Sequence, residues 1–402
     1  RAQLLRLCSA GDWFSENLAR YPLLLDSLLN ADELFSLEQS LDAQLDGQLK
    51  RIGQEHADNL MEEQMDRLRQ FKRQHVFRIA ILDVFYELPV ETVGDQLSAI
   101  AEAVLKQVLQ LAWDAMAARY GEPQCIIDGR QHQPGLSIIG YGKLGGYELG
   151  YGSDLDIIFL HNSAGEQQQT SGEAGIDNLN FFARVAQRVI HLLGTRTYAG
   201  ILYEVDTRLR PDGQAGLLVS SLSAFESYQH EKAWTWEHQA LIRARFITGN
   251  AQVEQEFDRI RCAVLSQTRE KRELLAEVVR MREKMRTHLA NRASGFDVKQ
   301  DAGGLVDIEF MTQAGVLLHA ADMPACLEQT ATLALIKALV DTGWYEAGEA
   351  KVLAAAYRYF RQLKNWQDLQ YDAGEADIEA HRDRVIELWQ RLMPTVTADE
   401  DG

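Results

Sequence analysis

Apolar residues change their spacing twice along the chain. From residue 1 to about 120 the period is helical. Leu23 to Leu29, then Phe77, Ile81, Val84 and Phe85, recur with charged residues between them, and Ser98–Tyr120 reads as one long helix rich in Ala and Leu. Within this region Glu63, Asp66, Arg67, Arg69 and Lys72 form a mixed charge run around Gln64 and Met65, the pattern of a solvated helix face. Gly121 to Gly135, with Pro123, Gly129 and Pro134, has no clear period and leads into a second region. From about Val278 the helical period returns. Ala331–Leu339, Val352–Leu369 and Ile378–Leu392 predict a C-terminal helical bundle. The boundaries follow as 1–120 helical, 121–270 mixed and 271–402 helical.

The middle region carries the chemistry. Leu136–Ile139 is a short β-rich run that Gly140, Gly142, Gly145 and Gly146 break into a tight turn, followed by a short helix and a second strand starting at Asp154. Side chains alternate across a strand, so Asp154 and Asp156 leave one face while Leu155 and Ile157 leave the other. Two adjacent carboxylates repel, and an apolar strand rarely holds both unless a cation neutralises them. Asn162–Gly175 is polar and Gln/Gly/Ser-rich, the composition of a mobile surface loop. Asp177 to Leu193 is again helical, with Asp177 as the N-cap and Phe182, Val185, Ala186, Val189, Ile190 and Leu193 on one stripe. Ile201–Arg210 alternates once more, placing Glu204, Asp206, Arg208 and Arg210 opposite Ile201, Tyr203, Val205 and Leu209. Pro211, Asp212 and Gly213 mark a turn, and Leu217–Val219 predicts a short extra strand.

If the two carboxylate-bearing strands are neighbours, Asp154, Asp156 and Asp206 can surround one or two Mg²⁺, which takes oxygen ligands and keeps positions open for phosphate. Arg208, Arg210 and Lys143 are then candidates for phosphate oxygens, with Ser153 as a hydroxyl donor. Either Gly142-Lys143, with ten residues between it and Asp154, or Gly145-Gly146, with seven, can offer backbone amides to the phosphates.

A glycine turn followed by Asp-x-Asp on a strand, with a third Asp on a later one, resembles the nucleotidyltransferase superfamily that includes the DNA polymerase β-like fold. The strings GYGKLGGYELGYGSDLDIIFLH, GILYEVDTRLRPDGQAG, AWTWEHQALIRAR and GGLVDIEF are similar to one family within it, glutamine synthetase adenylyltransferase, and to its C-terminal, adenylylating half. The likeness extends over nearly the whole chain, from LCSAGDWFSENLARYPLLLDSLL to the helices before residue 390. It implies an α+β, predominantly helical fold with a small mixed-sheet core. It also implies AMP transfer from ATP to a tyrosine hydroxyl of glutamine synthetase, with release of pyrophosphate and with Mg²⁺ or Mn²⁺ as cofactor. The PII signalling protein and glutamine would be regulators. The family carries two such halves in one chain and this sequence has one core. With Arg1 rather than Met at its start, it reads as a fragment. Three other readings stay open: phosphorolytic removal of AMP from modified glutamine synthetase, a uridylyltransferase-type activity, and a non-catalytic regulatory module.

Charge narrows the substrate. At 402 residues and a net charge of −18, the chain lacks the basic surface a polynucleotide requires, whereas ATP needs only a local basic pocket and metal. Cys8, Cys125, Cys262 and Cys326 are scattered without pairing motifs, no apolar run has the length of a membrane span, and no leader opens the chain, which predicts a cytoplasmic setting. His161, His230 and His238 lack zinc-ligand spacing. There is neither a nucleophile elbow nor a Walker loop. Around Trp234 and Trp236 the expected structure is a helix with its tryptophans in the core, while Arg243 and Arg245 are open between phosphate contact and solvent. Lys299, Asp301, Gly303, Gly304, Asp307 and Glu309 sit where a glycine turn meets a helix start. Asp307 is expected to cap that helix, and Glu309 is left open.

Overall fold

A computed structural model describes residues 2–25, 40–55, 59–289, 295–372, 374 and 377–393. The chain divides into two compact units, Arg1–Tyr228 with Arg245–Asp258, and Gln229–Ala244 with Arg259–Gly402.

The first unit opens with helices α1 (Ala2–Ala10), α2 (Asp12–Arg20), α3 (Leu41–Glu55), α4 (Leu60–Tyr86) and α5 (Val90–Tyr120). Leu23–Leu25 falls in a single 3₁₀ turn, Pro22–Leu25, and the remainder of the helix expected to Leu29 lies outside the described residues. Helix α4 stops where Glu87 turns left-handed at φ 51° and its N–H closes on Leu82 O. Pro89 then precedes α5, which begins earlier than the predicted Ser98.

Strands β1 (Pro123–Ile127), β2 (Arg130–His132), β3 (Leu136–Gly140), β4 (Leu155–His161), β5 (Glu166–Thr170), β6 (Val205–Asp206), β7 (Val219–Ser221) and β8 (Arg245–Thr248) build two sheets. The principal one runs β6-β4-β3-β8, with β7 also on β4. In it β3 is antiparallel to β4 and β8, whereas β6 and β7 are parallel to β4. Leu136, Ile138, Leu155, Ile157 and Phe159 pack into a core with α5 and with α7 (Asn178–Gly194). The Asp177 carboxylate caps α7, accepting from the amides of Leu179 at 2.9 Å and Asn180 at 3.3 Å.

Two stretches expected to be irregular are not. Gly121–Gly135 contains the β1–β2 hairpin, and the polar Asn162–Gly175 segment supplies β5, antiparallel to β1 with Gln124 opposite Gln169. Strands β2 and β5 have largely exposed side chains and show no apolar alternation, so backbone pairing defines them, whereas β1 is buried or half-buried along its length. Conversely, Ile201–Arg210 is not one strand. Leu202 and Tyr203 both donate to Leu193 O at 3.1 Å, and the ladder is confined to Val205–Asp206 before Arg210 N closes a turn on Thr207 O.

The second unit includes α9 (Thr235–Ile242), α11 (Lys271–Leu289), α12 (Leu305–His319), α13 (Thr332–Asp341), α14 (Ala347–Asp368) and α15 (Ile378–Leu392), after α8 (Leu222–Glu231) and with α10 (Ala251–Leu265) crossing into it. The last three match the predicted bundle helices closely. Helix α12 is apolar on nearly every face and buried accordingly. The whole is the helix-rich α+β arrangement expected, a small mixed sheet among many helices. No helix among the described residues is long and apolar enough to cross a membrane. None of the four cysteines is in a disulfide.

Candidate active site

Parallel pairing of β4 with β6 puts Leu155 opposite Val205 and Asp156 opposite Asp206. Residues facing one another in a ladder share a sheet face, so the two carboxylates lie side by side. Asp154, one residue before β4, joins them from the same face. Carboxylate oxygens of Asp154, Asp156 and Asp206 all lie within 4.8 Å of one another, with Asp154 exposed and the other two partly buried. The behaviour read from the alternation is therefore observed: the acids converge, and Leu155 and Ile157 enter the core.

The glycine turn is built against these acids. Tyr141 N–H donates to Asp156 O at 2.8 Å. Gly142 has φ +53°, and a Cβ there would collide with Asp156 Oδ2. Both conformation and space require glycine. Helix α6 (Gly142–Gly145) follows. The amides of Gly145 and Gly146 close it on Tyr141 O at 2.9 Å and Gly142 O at 3.1 Å. Ser153 Oγ accepts the Gly150 amide at 2.9 Å, which tightens the loop before Asp154.

The two arginines find different partners. Arg208 is largely exposed and folds back on Asp206, its Nε 2.7 Å from Oδ2 and its terminal nitrogen on the same oxygen. Hydrogen bonds from Arg208 hold the Asp206 carboxyl below the usual range, against the opposing effect of partial burial. Arg210 donates to Thr207 O and Oγ1, both at 2.9 Å, and to Gly216 O and Gln214 O at 3.3 and 3.2 Å. It organises its own turn.

A family model for glutamate-ammonia ligase adenylyltransferase matches residues 1–260, which include the glycine turn and all three aspartates. The chain belongs to the glutamate-ammonia ligase adenylyltransferase family. A second model, described as PII-uridylyltransferase, matches residues 271–394. Among relatives, a bifunctional glutamine synthetase adenylyltransferase/adenylyl-removing enzyme of Thioalkalivibrio sulfidiphilus is 48% identical over 398 residues, 98% of this chain and 41% of that protein. Enzymes of the same name from Pseudomonas putida and Pseudomonas syringae are each 45% identical over 408 residues, 97% of this chain and 41% of theirs. The chain thus spans about two fifths of the length of these curated relatives.

Several residues around these acids have roles that the sequence alone did not show. Arg245, open between phosphate and solvent on sequence grounds, braces the glycine turn. It donates to Gly145 O and Leu144 O, both at 3.1 Å, pairs with Glu102, and lies 3.7 Å from the Tyr147 ring centroid. Tyr151 anchors the next loop through a 2.8 Å bond to the buried Asp83. Arg69 and Lys72 are not on a solvated face. Arg69 is 2% exposed, and both cations donate to distant carbonyls.

Within the second unit, Arg243 is buried and pairs with Glu309 at 2.9 Å, and Glu309 also accepts from Tyr357 Oη at 3.2 Å. Asp307 lies in the first turn of α12 as expected, but its carboxylate accepts Gly303 N–H, ahead of the N-cap Gly304, at 2.7 Å and is clamped by Arg282 and Arg286, each at 2.6 Å. Trp234 is 70% exposed rather than in the core, because as the residue before α9 it points off the helix. Trp236 is partly buried. His161 is buried against Phe182, His238 bonds Gln229 O, and His230 contacts Gln267.

Proposed function

We propose that the chain transfers AMP from ATP to a tyrosine hydroxyl of glutamine synthetase, releasing pyrophosphate. Family membership supplies the reaction class, and convergence of Asp154, Asp156 and Asp206 is the observation that carries the catalytic assignment. Three carboxylate oxygens within 4.8 Å on a polar, partly exposed face suit hard divalent cations, Mg²⁺ or Mn²⁺. Asp154 and Asp156 would hold one cation and Asp206 would share a second. Bound there, the cations would neutralise charge on the triphosphate and lower the pKa of the incoming hydroxyl.

The protein's own groups supply the remainder. Asp206 is assigned as the acceptor of the tyrosine proton. Hydrogen bonds from Arg208 hold its carboxyl low, which favours the ionised form that binds a cation or accepts a proton. Of the two glycine pairs, Gly142-Lys143 is the better supported cradle, since the amides of Gly145 and Gly146 are committed inside the turn. Lys143, Arg208 and Ser153 are assigned to the pyrophosphate side. Arg210 is assigned there more weakly, given its bonds to its own turn. Positioning and charge neutralisation then account for most of the rate.

The PII-uridylyltransferase match covers residues 271–394 and none of the aspartates, so it does not move the nucleotide from ATP to UTP. The relatives' names give the adenylyl-removing activity a specific claim as the second reading. Incubating the chain with labelled ATP and unmodified glutamine synthetase, and separately with phosphate and AMP-labelled glutamine synthetase, separates the two. The proposal requires label transfer in the first and predominates over label release in the second. PII protein and glutamine are proposed as regulators, with the cytoplasm as the setting.

A further inference from the structure

Helix α4 sends three cations to one segment of chain, the stretch that runs from the end of α7 to β6. Arg69 donates to Gly200 O at 2.7 Å, to Leu192 O at 3.3 Å and to Thr195 O, as well as to Met65 O on its own helix at 2.8 Å. Lys72 Nζ donates to Leu202 O at 2.6 Å and stands 3.7 Å from the centroid of the buried Tyr203 ring. Arg73 donates to Ala199 O and packs on Tyr21. From the same helix, Asp66 accepts the Thr197 hydroxyl at 2.8 Å.

What this segment carries is Asp206. Leu202 is followed by Tyr203 and Glu204, whose carbonyl accepts Leu155 N–H at 2.9 Å, and then by the Val205–Asp206 pair in register with Leu155–Asp156. With only two residues in β6, the ladder alone defines the position of Asp206 weakly. The cations supply the remaining constraint, and they do so at a cost. Burial, together with the mutual proximity of Arg69 and Arg73, lowers Lys72 to about 8, and burial also lowers both arginines. Asp66 offsets this for Arg69 and Arg73, and burying clustered cations is still an expensive way to satisfy loop carbonyls if stability were the whole purpose.

We infer that Lys72, flanked by Arg69 and Arg73, is a positioning residue for adenylyl transfer: it fixes the 195–203 segment so that Asp206 meets Asp154 and Asp156. This rests on the metal-site reading proposed above. Lys72 acts through Leu202 and Tyr203.

The test compares the full chain with its Lys72→Met and Lys72→Arg variants. Mn²⁺ affinity is measured by electron paramagnetic resonance, and amide exchange over residues 200–208 by mass spectrometry. Lys72→Met should weaken Mn²⁺ binding by about tenfold or more, the range for groups that orient metal ligands. Exchange over 200–208 should quicken. Lys72→Arg, which keeps a charged donor, should restore most of the affinity. Wild-type Mn²⁺ affinity in Lys72→Met overturns the inference. Should that variant not fold, Arg73→Met replaces it, with the same direction expected and the same contrary result decisive. If the wild-type chain binds no Mn²⁺, or binds it equally well as Asp156→Asn, the metal-site reading fails instead. Exchange over 200–208 then judges the clamp alone, and unchanged exchange in Lys72→Met refutes it.

Discussion

At Gly142 one hydrogen atom separates a working turn from a broken one. The positive φ and the proximity of Asp156 Oδ2 exclude any side chain, so Gly142→Ala should lower stability by roughly 1–3 kcal/mol and also displace the Asp156 carboxylate. Thermal unfolding combined with Mn²⁺ titration checks both effects, and an unperturbed variant would contradict the close approach. For Asp154→Asn and Asp156→Asn the expected outcome is different: loss of AMP transfer by at least about a hundredfold with the fold retained, because these groups are exposed or only partly buried. Wild-type-like turnover in either would remove the carboxylate site. Arg208→Ala should cost little stability, since its pair with Asp206 is at the surface, yet it should weaken ATP binding in a calorimetric titration. Unchanged affinity would argue against a phosphate role.

Strand β4 shows what a sequence can and cannot disclose. Its apolar run, the acids on one face and the glycine turn before it were legible, because local alternation and backbone freedom are encoded in adjacent residues. The Asp177 cap and the three C-terminal helices were legible for the same reason. Strand β5 was not, because Glu166–Thr170 is polar and becomes a strand only through β1, some forty residues away. Nor was the fate of Arg69 and Lys72. A charge run on a helix looks solvated until the carbonyls of residues 192–202, more than 120 positions later, fold over it. At the far end of β4, His161 stacks on Phe182, and burial lowers its pKa to about 4, with Asp177 acting the other way. Below about 6.5 the unfolded chain takes up the proton and the folded one does not, so stability falls as pH drops from there toward 4, at up to about 1.4 kcal/mol per unit. His161→Phe should flatten that slope in denaturant unfolding followed across the window. An unaltered slope would assign it to other groups, His75 among them, which burial also lowers to about 4.

The molecule comprises a unit built on the mixed sheet with its helices and a helical unit that is itself rich in buried charge. Its architecture followed from the alternation of helical and strand periods, but the buried pairing of Arg243 with Glu309, and of Asp307 with two arginines, did not, since each joins residues distant in sequence. Asp307→Ala leaves Arg282, fully buried, without its carboxylate, and should destabilise the second unit by about 3–5 kcal/mol. Calorimetry should show that loss, and an unshifted melting profile would contradict it. The central claim concerns what the three aspartates do. The most direct measurement is intact and peptide mass spectrometry of glutamine synthetase after incubation with this chain, ATP and Mg²⁺. The account predicts one added AMP on a tyrosine of each modified subunit, absent with Asp154→Asn. Glutamine synthetase left at its original mass by the folded, metal-supplied wild-type chain would contradict it.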